Sequence, residues 1–570
     1  MILYLLVMTF LNKQIHFMKI IKSLLLFSSL ALILTGCGPG AEILSTPIEN
    51  IDSVSLKEAD LTENEKHNWG HLDLITDTIP GMSVDKAYAE VLKGKTGKTV
   101  IVAVIDSGID IDHEDLDGVL WTNKKEIAGN NKDDDKNGYI DDIHGWNFLG
   151  DAYDEQLEYI RLVASGNTSD PRFEEAKAKY DEDYGKAMSN KERYDQIYQQ
   201  IKGANEVLTA HFKKSDYTQE EVAAIETENE ELKGAIQSAN FVFGNGMKSL
   251  TDAEKQIKGG VDYFTDQVNY NLSKDFKGRT TGDNPDDYND QPGYGNGNVK
   301  HIKKSESHGT HVAGIIAAER NNGLGANGVA DNVEIMSIRA VPNGDEYDKD
   351  VAKAIRYAVD NGARVINGSF GKSFSPHSDW VRDAIKYASD NNVLFIHAAG
   401  NSGEDIDVEP NFPDDNVNFV EVGNTYIRVG ALAPKYGPNM VAGFSNYGKK
   451  NVDVFAPGAS IYSTTPENEY DTKGGTSMAA PAVAGVAALI CSYYPKLTAA
   501  QVKQIIMDSG LPVTTNVVVG GDAEDVRPFG DLTQSGKMVN AYNAMVMAEK
   551  LAKKPAPAKA KKPVKAATKA

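Results

Sequence analysis

The chain has 570 residues, of which 41% are hydrophobic and 25% charged; this is ordinary globular composition, and the length suits one large domain with attachments or two to three domains. A formal net charge of −22 sets the body against nucleic acid and anionic lipid surfaces, so a polyanion-binding role is disfavoured and no nucleic-acid partner is expected.

Taken in chain order, the first feature is an export signal. Lys19 and Lys22 precede an apolar run from Leu24 to Leu34 that is too short to span a bilayer, and small residues follow. Met18 suits a translation start better than Met1, because MKIIK and the apolar run already form a complete signal. The ending Leu34-Thr35-Gly36-Cys37 resembles a bacterial lipobox. That resemblance implies cleavage after residue 36, lipidation of Cys37, and an exported protein anchored in the cell envelope by its N-terminal lipid only. The absence of an acidic residue just after Cys37 favours the outer membrane or cell surface. Cys491 is then left without a partner and reads as a small buried apolar residue on a helix. Residues 37–98 form an N-terminal segment that is expected to be retained, since cutting it away would free the protein from its lipid.

The runs 99–106, 332–341, 363–370 and 392–400 are short, apolar and rich in Val and Ile, and helical patterns over 350–361 and 378–391 alternate with them. This argues for a parallel sheet covered on both faces, with function gathered at the carboxyl ends of the strands. The expected body is 99–150 plus 300–548. Between them, residues 151–299 carry helical spacing (Phe173, Ala176, Tyr180, Tyr184; Tyr194, Ile197, Ile201, Leu208; Val222, Ile225, Leu232, Ile236), which predicts an insert of two or three helices ending in a Gly/Asp/Asn loop. Residues 549–570, a Lys/Ala/Pro tail, cannot build a core and are expected to be disordered.

Three short stretches end such runs or begin helices. Asp106 closes a strand in VIDSGID, and Asn401 follows one in AAGNSG; alone, each is a turn-former. Ser477, in GGTSMAAPAVAGVAAL, opens a helix so rich in Ala, Gly and Val that its backbone must lie close to neighbours, which is an expensive way to place a simple cap. SHGTHVAG holds His308 and His311. Together the residues supply what acyl transfer by serine needs: a nucleophile, a general base, a carboxylate that holds the base, and a donor for the oxyanion.

The order Asp106, His308, Ser477 is that of subtilisin. The stretches VIDSGID, SHGTHVAG, GTSMAAP, AAGNSG and VINGSFG, with FSNYGKKNVDVFAPG at 444–458, resemble the motifs of the subtilisin family of serine peptidases over roughly 99–148 and 300–510. The resemblance implies a subtilisin-like α/β fold, a mostly parallel doubly wound sheet with helices on both faces, here with the helical insert added. It also implies Asp106 as orienting carboxylate, His308 as base, Ser477 as nucleophile and Asn401 as oxyanion donor. Protein or peptide substrates would lie along Ser369, Phe370 and Gly371, with Ala398, Ala399 and Gly400 beside the cleaved bond, and no cofactor is required for the chemistry. A catalytically idle peptide-binding protein, or an esterase or amidase of the same mechanism, remains as the alternative.

A zinc reading of the two histidines fails on spacing, which is three rather than four, with no Glu between, so His311 is read as scaffold. A structural calcium site is the one metal expectation. DDDKNGYIDD places Asp133, Asp135, Asn137, the Tyr139 carbonyl and Asp141 or Asp142 as in a calcium loop, although His144 stands where the bidentate Glu belongs. The insert separates Asp106 from His308, and it serves either to gate the cleft or as a structural decoration.

Overall fold

The computed structural model of the chain describes residues 47–49, 51 and 57–553. The signal, Cys37 and the tail beyond residue 553 lie outside the described residues. Nine strands form the central sheet: β1 (Val100–Asp106), β2 (Gly145–Asn147), β3 (Val333–Arg339), β4 (Val365–Gly368), β5 (Leu394–Ala398), β6 (Tyr426–Leu432), β7 (Val454–Pro457), β8 (Leu511–Pro512) and β9 (Lys537–Met538). Their order is β8-β9-β7-β6-β5-β4-β1-β3-β2. Every pairing is parallel except β8 with β9. The chain passes from β1 to β3 on one side and then to β4 on the other, so the sheet is doubly wound, and β1 sits at the switch point where clefts form in such sheets.

The insert supplies four of the longer helices: α1 (Glu158–Ser165), α2 (Phe173–Phe212), α3 (Glu230–Gly244) and α4 (Leu250–Asp266). The body adds α5 (His308–Ala317), α6 (Asp348–Asp360), α7 (Ser378–Asp390), α8 (Thr476–Tyr493), α9 (Ala499–Ser509) and α10 (Ala541–Ala552). Side chains alternate across each strand. Val102 and Val104 of β1 therefore face a core shared with α5, α8, α9 and α10, while Ala103 and Ile105 face α6 and α7. The helix α10 runs to Ala552, into the region expected to be tail, because Ala544, Met545 and Ala548 are buried in the first core.

Residues 57–98 belong to the body. Trp69, Leu74 and Ile79 share a core with Met440, Phe455 and Phe529, and Trp69 Nε1 donates to the Ser460 carbonyl at 2.9 Å. Met82, Val84 and Val91 pack with α8 and α10.

In the insert, the two helical stretches expected around Tyr184 and Tyr194 are one continuous helix of 40 residues, α2. Gly185 and Gly203 within it do not end it, since packing against α3 and α4 outweighs the roughly 1 kcal/mol each glycine costs. The spacing also missed α4, whose only buried hydrophobic residues are Leu250 and Ala253. Two separate apolar clusters hold the insert. A basal one includes Tyr159, Ile160, Ala176, Leu272 and Phe374, and a distal one includes Ile201, Leu208, Val222, Ala239 and Val242.

The helical part closes on itself at a neck. Asn271 Nδ2 donates to the carbonyls of Glu155 (2.9 Å) and Asn343 (2.8 Å), and Leu157 N donates to Asn271 O at 2.9 Å. The loop after the neck returns to the body rather than extending the insert. Tyr294 is buried against Trp146 and Phe148, and Asn296 pairs with Asn147.

Candidate active site

Asp106 is the last residue of β1 and is 1% exposed. Its Oδ1 accepts from Ser107 N at 2.8 Å and stands 2.7 Å from His308 Nδ1, which fixes the imidazole with Nε2 free to take a proton. The helix α5 can begin that close to β1 because residue 309 is glycine: a Cβ there would meet the Gly108 carbonyl oxygen at 2.2 Å. Behind the pair, Arg339 at the end of β3 is fully buried. It donates to Ser107 O (2.9 Å), to Ala152 O (2.9 Å) and to Glu306 Oε1 (2.7 Å), bracing the segments that carry both Asp106 and His308.

Burial of His308 works against its charged form, as does Lys473. The charge and hydrogen bond of Asp106 outweigh them, and the His308 pKa is raised above the ordinary 6.5. The neighbouring His311 behaves differently. Its Nε2 faces the carbonyls of Ile461 (3.0 Å) and Asp471 (3.1 Å), and burial, then Lys473, lower its pKa to about 3. His311 is a neutral packing residue joining α5 to the 461–473 hairpin.

Ser477 lies in the first turn of α8, where backbone N–H groups have no intrahelical partner. Its hydroxyl donates to Ser369 O at 3.2 Å, and Ser369 Oγ donates back to Ser477 O at 2.9 Å. Pro481 makes the second bond available. A residue with an N–H at that position would take the Ser477 carbonyl as the i−4 acceptor of the helix, and proline leaves it open. Gly485 lets α8 lie against Val329, whose Cβ would stand 2.5 Å from an added Cβ.

Asn401, just after β5, is exposed; its Oδ1 accepts from Thr476 N (2.8 Å) and Thr476 Oγ1 (3.0 Å). That leaves Nδ2 without a partner among the described residues and aimed as a donor beside the start of α8. Thr476 is thus an orienting residue that the sequence reading did not single out.

The cleft beside these groups has a volume of about 280 Å³ and is lined by Asp106, His308, Val341, Ser369, Phe370 and Gly371, among others. Of the expected subsite residues, Gly371 is exposed and Gly400 half-buried, whereas Ser369, Phe370, Ala398 and Ala399 are buried. A further residue missed from the sequence lies under this strand. His397 in β5 is fully buried, with Nε2 2.7 Å from Phe370 O and Nδ1 2.8 Å from the Tyr426 hydroxyl. Burial, then Arg428, holds its pKa well below 6.5, so a neutral ring donates to the Phe370 carbonyl and fixes the strand beside the cleft.

The acidic loop gathers differently from its sequence pattern. The carboxylates of Asp133 and Asp135 lie with that of Glu126, their oxygens within 4.8 Å of one another. The side chain of Asn137 instead donates to Asp142 at 2.8 Å. Asp141 accepts from Asn130 N and Asn131 N, at 3.3 and 2.9 Å. The Tyr139 ring packs against Trp146, Phe148 and Tyr357. The third carboxylate comes from before the loop because position twelve is His144, whose Nδ1 is 2.8 Å from Trp121 O. Among the described residues no Lys or Arg side chain pairs with Glu126, Asp133 or Asp135, so this set of hard oxygen donors fits a calcium ion.

A hydroxyl at a helix start, an imidazole backed by a buried carboxylate and a freed amide, all at the carboxyl ends of a doubly wound sheet, set out the parts of a serine-hydrolase site on an α/β architecture. More particularly, residues 97–531 match the model of the subtilase family, and the chain belongs to that family. A thermophilic serine proteinase of Bacillus sp. (strain AK1) is 44% identical over 187 residues, 33% of this chain and 43% of that protein. Thermitase of Thermoactinomyces vulgaris is 38% identical over 191 residues, 33% of this chain and 63% of that protein. Subtilisin-like protease 1 of Plasmodium falciparum is 32% identical over 304 residues, 49% of this chain and 43% of that protein. The matched stretches thus span about half of these relatives.

Proposed function

We propose that this subtilase is an endopeptidase that hydrolyses peptide bonds through an acyl-enzyme formed on Ser477. The observation that carries the reading is the 2.7 Å contact of buried Asp106 with His308 in the cleft whose wall, Ser369, is bonded to Ser477. The Ser477 hydroxyl leaves Ser369 O, gives its proton to His308 Nε2 and attacks the carbonyl carbon of a peptide lying along Ser369–Gly371 as an added strand. The oxyanion takes hydrogen bonds from Ser477 N–H and Asn401 Nδ2 at the positive end of α8. The C–N bond then breaks as His308 returns its proton to the leaving amine, and water repeats the sequence to release the acid and restore Ser477. Casein hydrolysis that a serine-directed fluorophosphonate abolishes, and that Ser477→Ala lacks, tests this; turnover of simple esters without cleavage of any peptide would overturn it.

Two further parts of the reading concern the protein as a whole. A calcium ion held by Glu126, Asp133 and Asp135 would offset most of the charge of three close carboxylates and stiffen the loop between β1 and β2. A lipid on Cys37 would keep the enzyme in the cell envelope, at the outer membrane or cell surface; detergent-phase partitioning that Cys37→Ser abolishes is the test.

A further inference from the structure

One acid in the cleft is accounted for neither by the fold nor by the catalytic groups. Glu346, in the loop between β3 and α6, lines the cleft together with His308, Gly344, Ser369 and Phe370, yet it is only 2% exposed. Its Oε1 has no hydrogen-bond partner among the described residues. Most buried polar groups are paired, and of the acids around this one only Asp106 also leaves a buried oxygen, Oδ2, without a partner among the described residues. Glu158 accepts from Arg161 (2.7 Å) and Lys372 (2.8 Å). Asp348 pairs with Lys372 at 2.9 Å, and Asp345 accepts from Glu158 N at 2.8 Å. On the catalytic side Glu306 is paired with Arg339 at 2.7 Å, and Asp106 with His308 at 2.7 Å. The two nearby cations turn to the Glu346 main chain instead: Lys372 Nζ and Arg161 donate to its carbonyl oxygen, at 2.8 and 3.3 Å. Burial pushes the Glu346 carboxyl up to about 8; Lys372 and a hydrogen bond from its own backbone N–H oppose this, and Asp345 and Asp348 add to it.

We infer that Glu346 is the floor of a substrate subsite that selects a cationic side chain, lysine or arginine, near the bond to be cleaved. The inference rests on the peptidase reading above. An ammonium or guanidinium entering the cleft supplies the partner that Oε1 lacks, and the charge-assisted hydrogen bond so formed is among the stronger ones. At pH 6.5 Glu346 carries a proton, which must leave to solvent as the cation enters; at pH 9 the carboxylate is already formed. Preference for the cation therefore rises as pH rises through about 8. His308 also titrates, but it acts on every substrate alike and cancels in a ratio.

The test uses the full chain and pairs of fluorogenic peptides that differ only in lysine against norleucine, scanned through each position flanking the cleaved bond. At one position the lysine/norleucine ratio of kcat/KM is expected to exceed about tenfold at pH 9, to shrink at pH 6.5, and to collapse in Glu346→Gln. A ratio that is the same at both pH values in the wild type, or that Glu346→Gln leaves unchanged while both peptides slow together, overturns the inference. The wild-type pH comparison decides even if the variant does not fold. Failure of the wild type to cleave any peptide or to react with a fluorophosphonate is a different result: it removes the peptidase reading, and the subsite falls with it.

Discussion

Replacing Asp106 by Asn keeps the shape of the side chain and removes its charge. Asp106 is almost wholly buried and its Oδ1 holds both Ser107 N and His308 Nδ1, so the substitution acts on the imidazole rather than on the fold. Two losses are expected. The imidazolium formed during attack loses a carboxylate whose charge centre lies about 4 Å away, worth about 4 kcal/mol at an effective dielectric near 20. An Asn that turns its amide nitrogen toward Nδ1 selects the tautomer with Nε2 protonated, which cannot accept the Ser477 proton. The His308 side chain is 38% exposed, so solvent screens part of the first effect, and the sum is about 4 to 5.5 kcal/mol, or about 10³- to 10⁴-fold in kcat.

The pH dependence has a definite sign. In the wild type Asp106 raises the His308 pKa, so the base form, and with it kcat/KM, rises through a pKa above 6.5. In Asp106→Asn only burial and Lys473 remain, both of which lower that pKa, and the acid limb moves to lower pH. The stability that the pair contributes is present below the unfolded pKa and lost as pH rises through the raised folded one. The assay is kcat/KM for one peptide between pH 5 and 9 in both proteins. A loss smaller than about tenfold, or an acid limb that stays in place, would refute the assigned role of Asp106.

Other outcomes follow from the same geometry. Asn401→Ala removes one oxyanion donor, and kcat should fall about 10²- to 10³-fold with KM little changed. Trp69→Ala empties a fully packed site and abandons the bond to Ser460 O; a loss of about 3–5 kcal/mol in denaturant melts is expected, whereas a stable mature species beginning near Thr99 would show residues 57–98 to be dispensable. EDTA should lower Tm in the wild type, and much less in Asp133→Asn or Glu126→Gln, where the carboxylate cluster is already broken. Excising residues 195–256, which carry the distal apolar cluster, should leave a folded body that still cleaves short peptides; if cleavage of folded proteins changes separately, the insert gates the cleft, and if both respond alike it does not.

Four of the nine strands, β1, β3, β4 and β5, were legible because each is buried on both faces and reads as a continuous apolar run, three of them leading to Asp106, Ser369 or Asn401. The candidate catalytic residues were legible because Asp106, His308, Ser477 and Asn401 stand in short stretches that resemble the subtilisin family's motifs, and because the Ala-rich run after Ser477 marks a helix whose backbone must come close to its neighbours. What stayed hidden depends on partners distant in sequence. Thr476 matters only because Asn401 folds back onto it, Arg339 looks like an ordinary strand residue until Glu306 and Ser107 surround it, and Glu126 joins Asp133 and Asp135 only through the turn of the loop. The boundary of the insert was misread because its last loop is polar in composition yet buries Tyr294 in the body.

The neck formed by Asn271 changes what the insert costs. Asp106 and His308 are 202 residues apart, and closing so long a flexible loop is an entropic burden on assembling the pair. Once Asn271 has closed on Glu155, 116 residues are taken out of that loop, which lowers the closure term by roughly 0.8 kcal/mol. A helical hairpin rich in local contacts forms quickly, so it can be complete before the sheet is. The long passage between Asp106 and His308 then behaves, in the search for the native state, as a much shorter one, and the body can carry or exchange such an insert without rebuilding the site on either side of it.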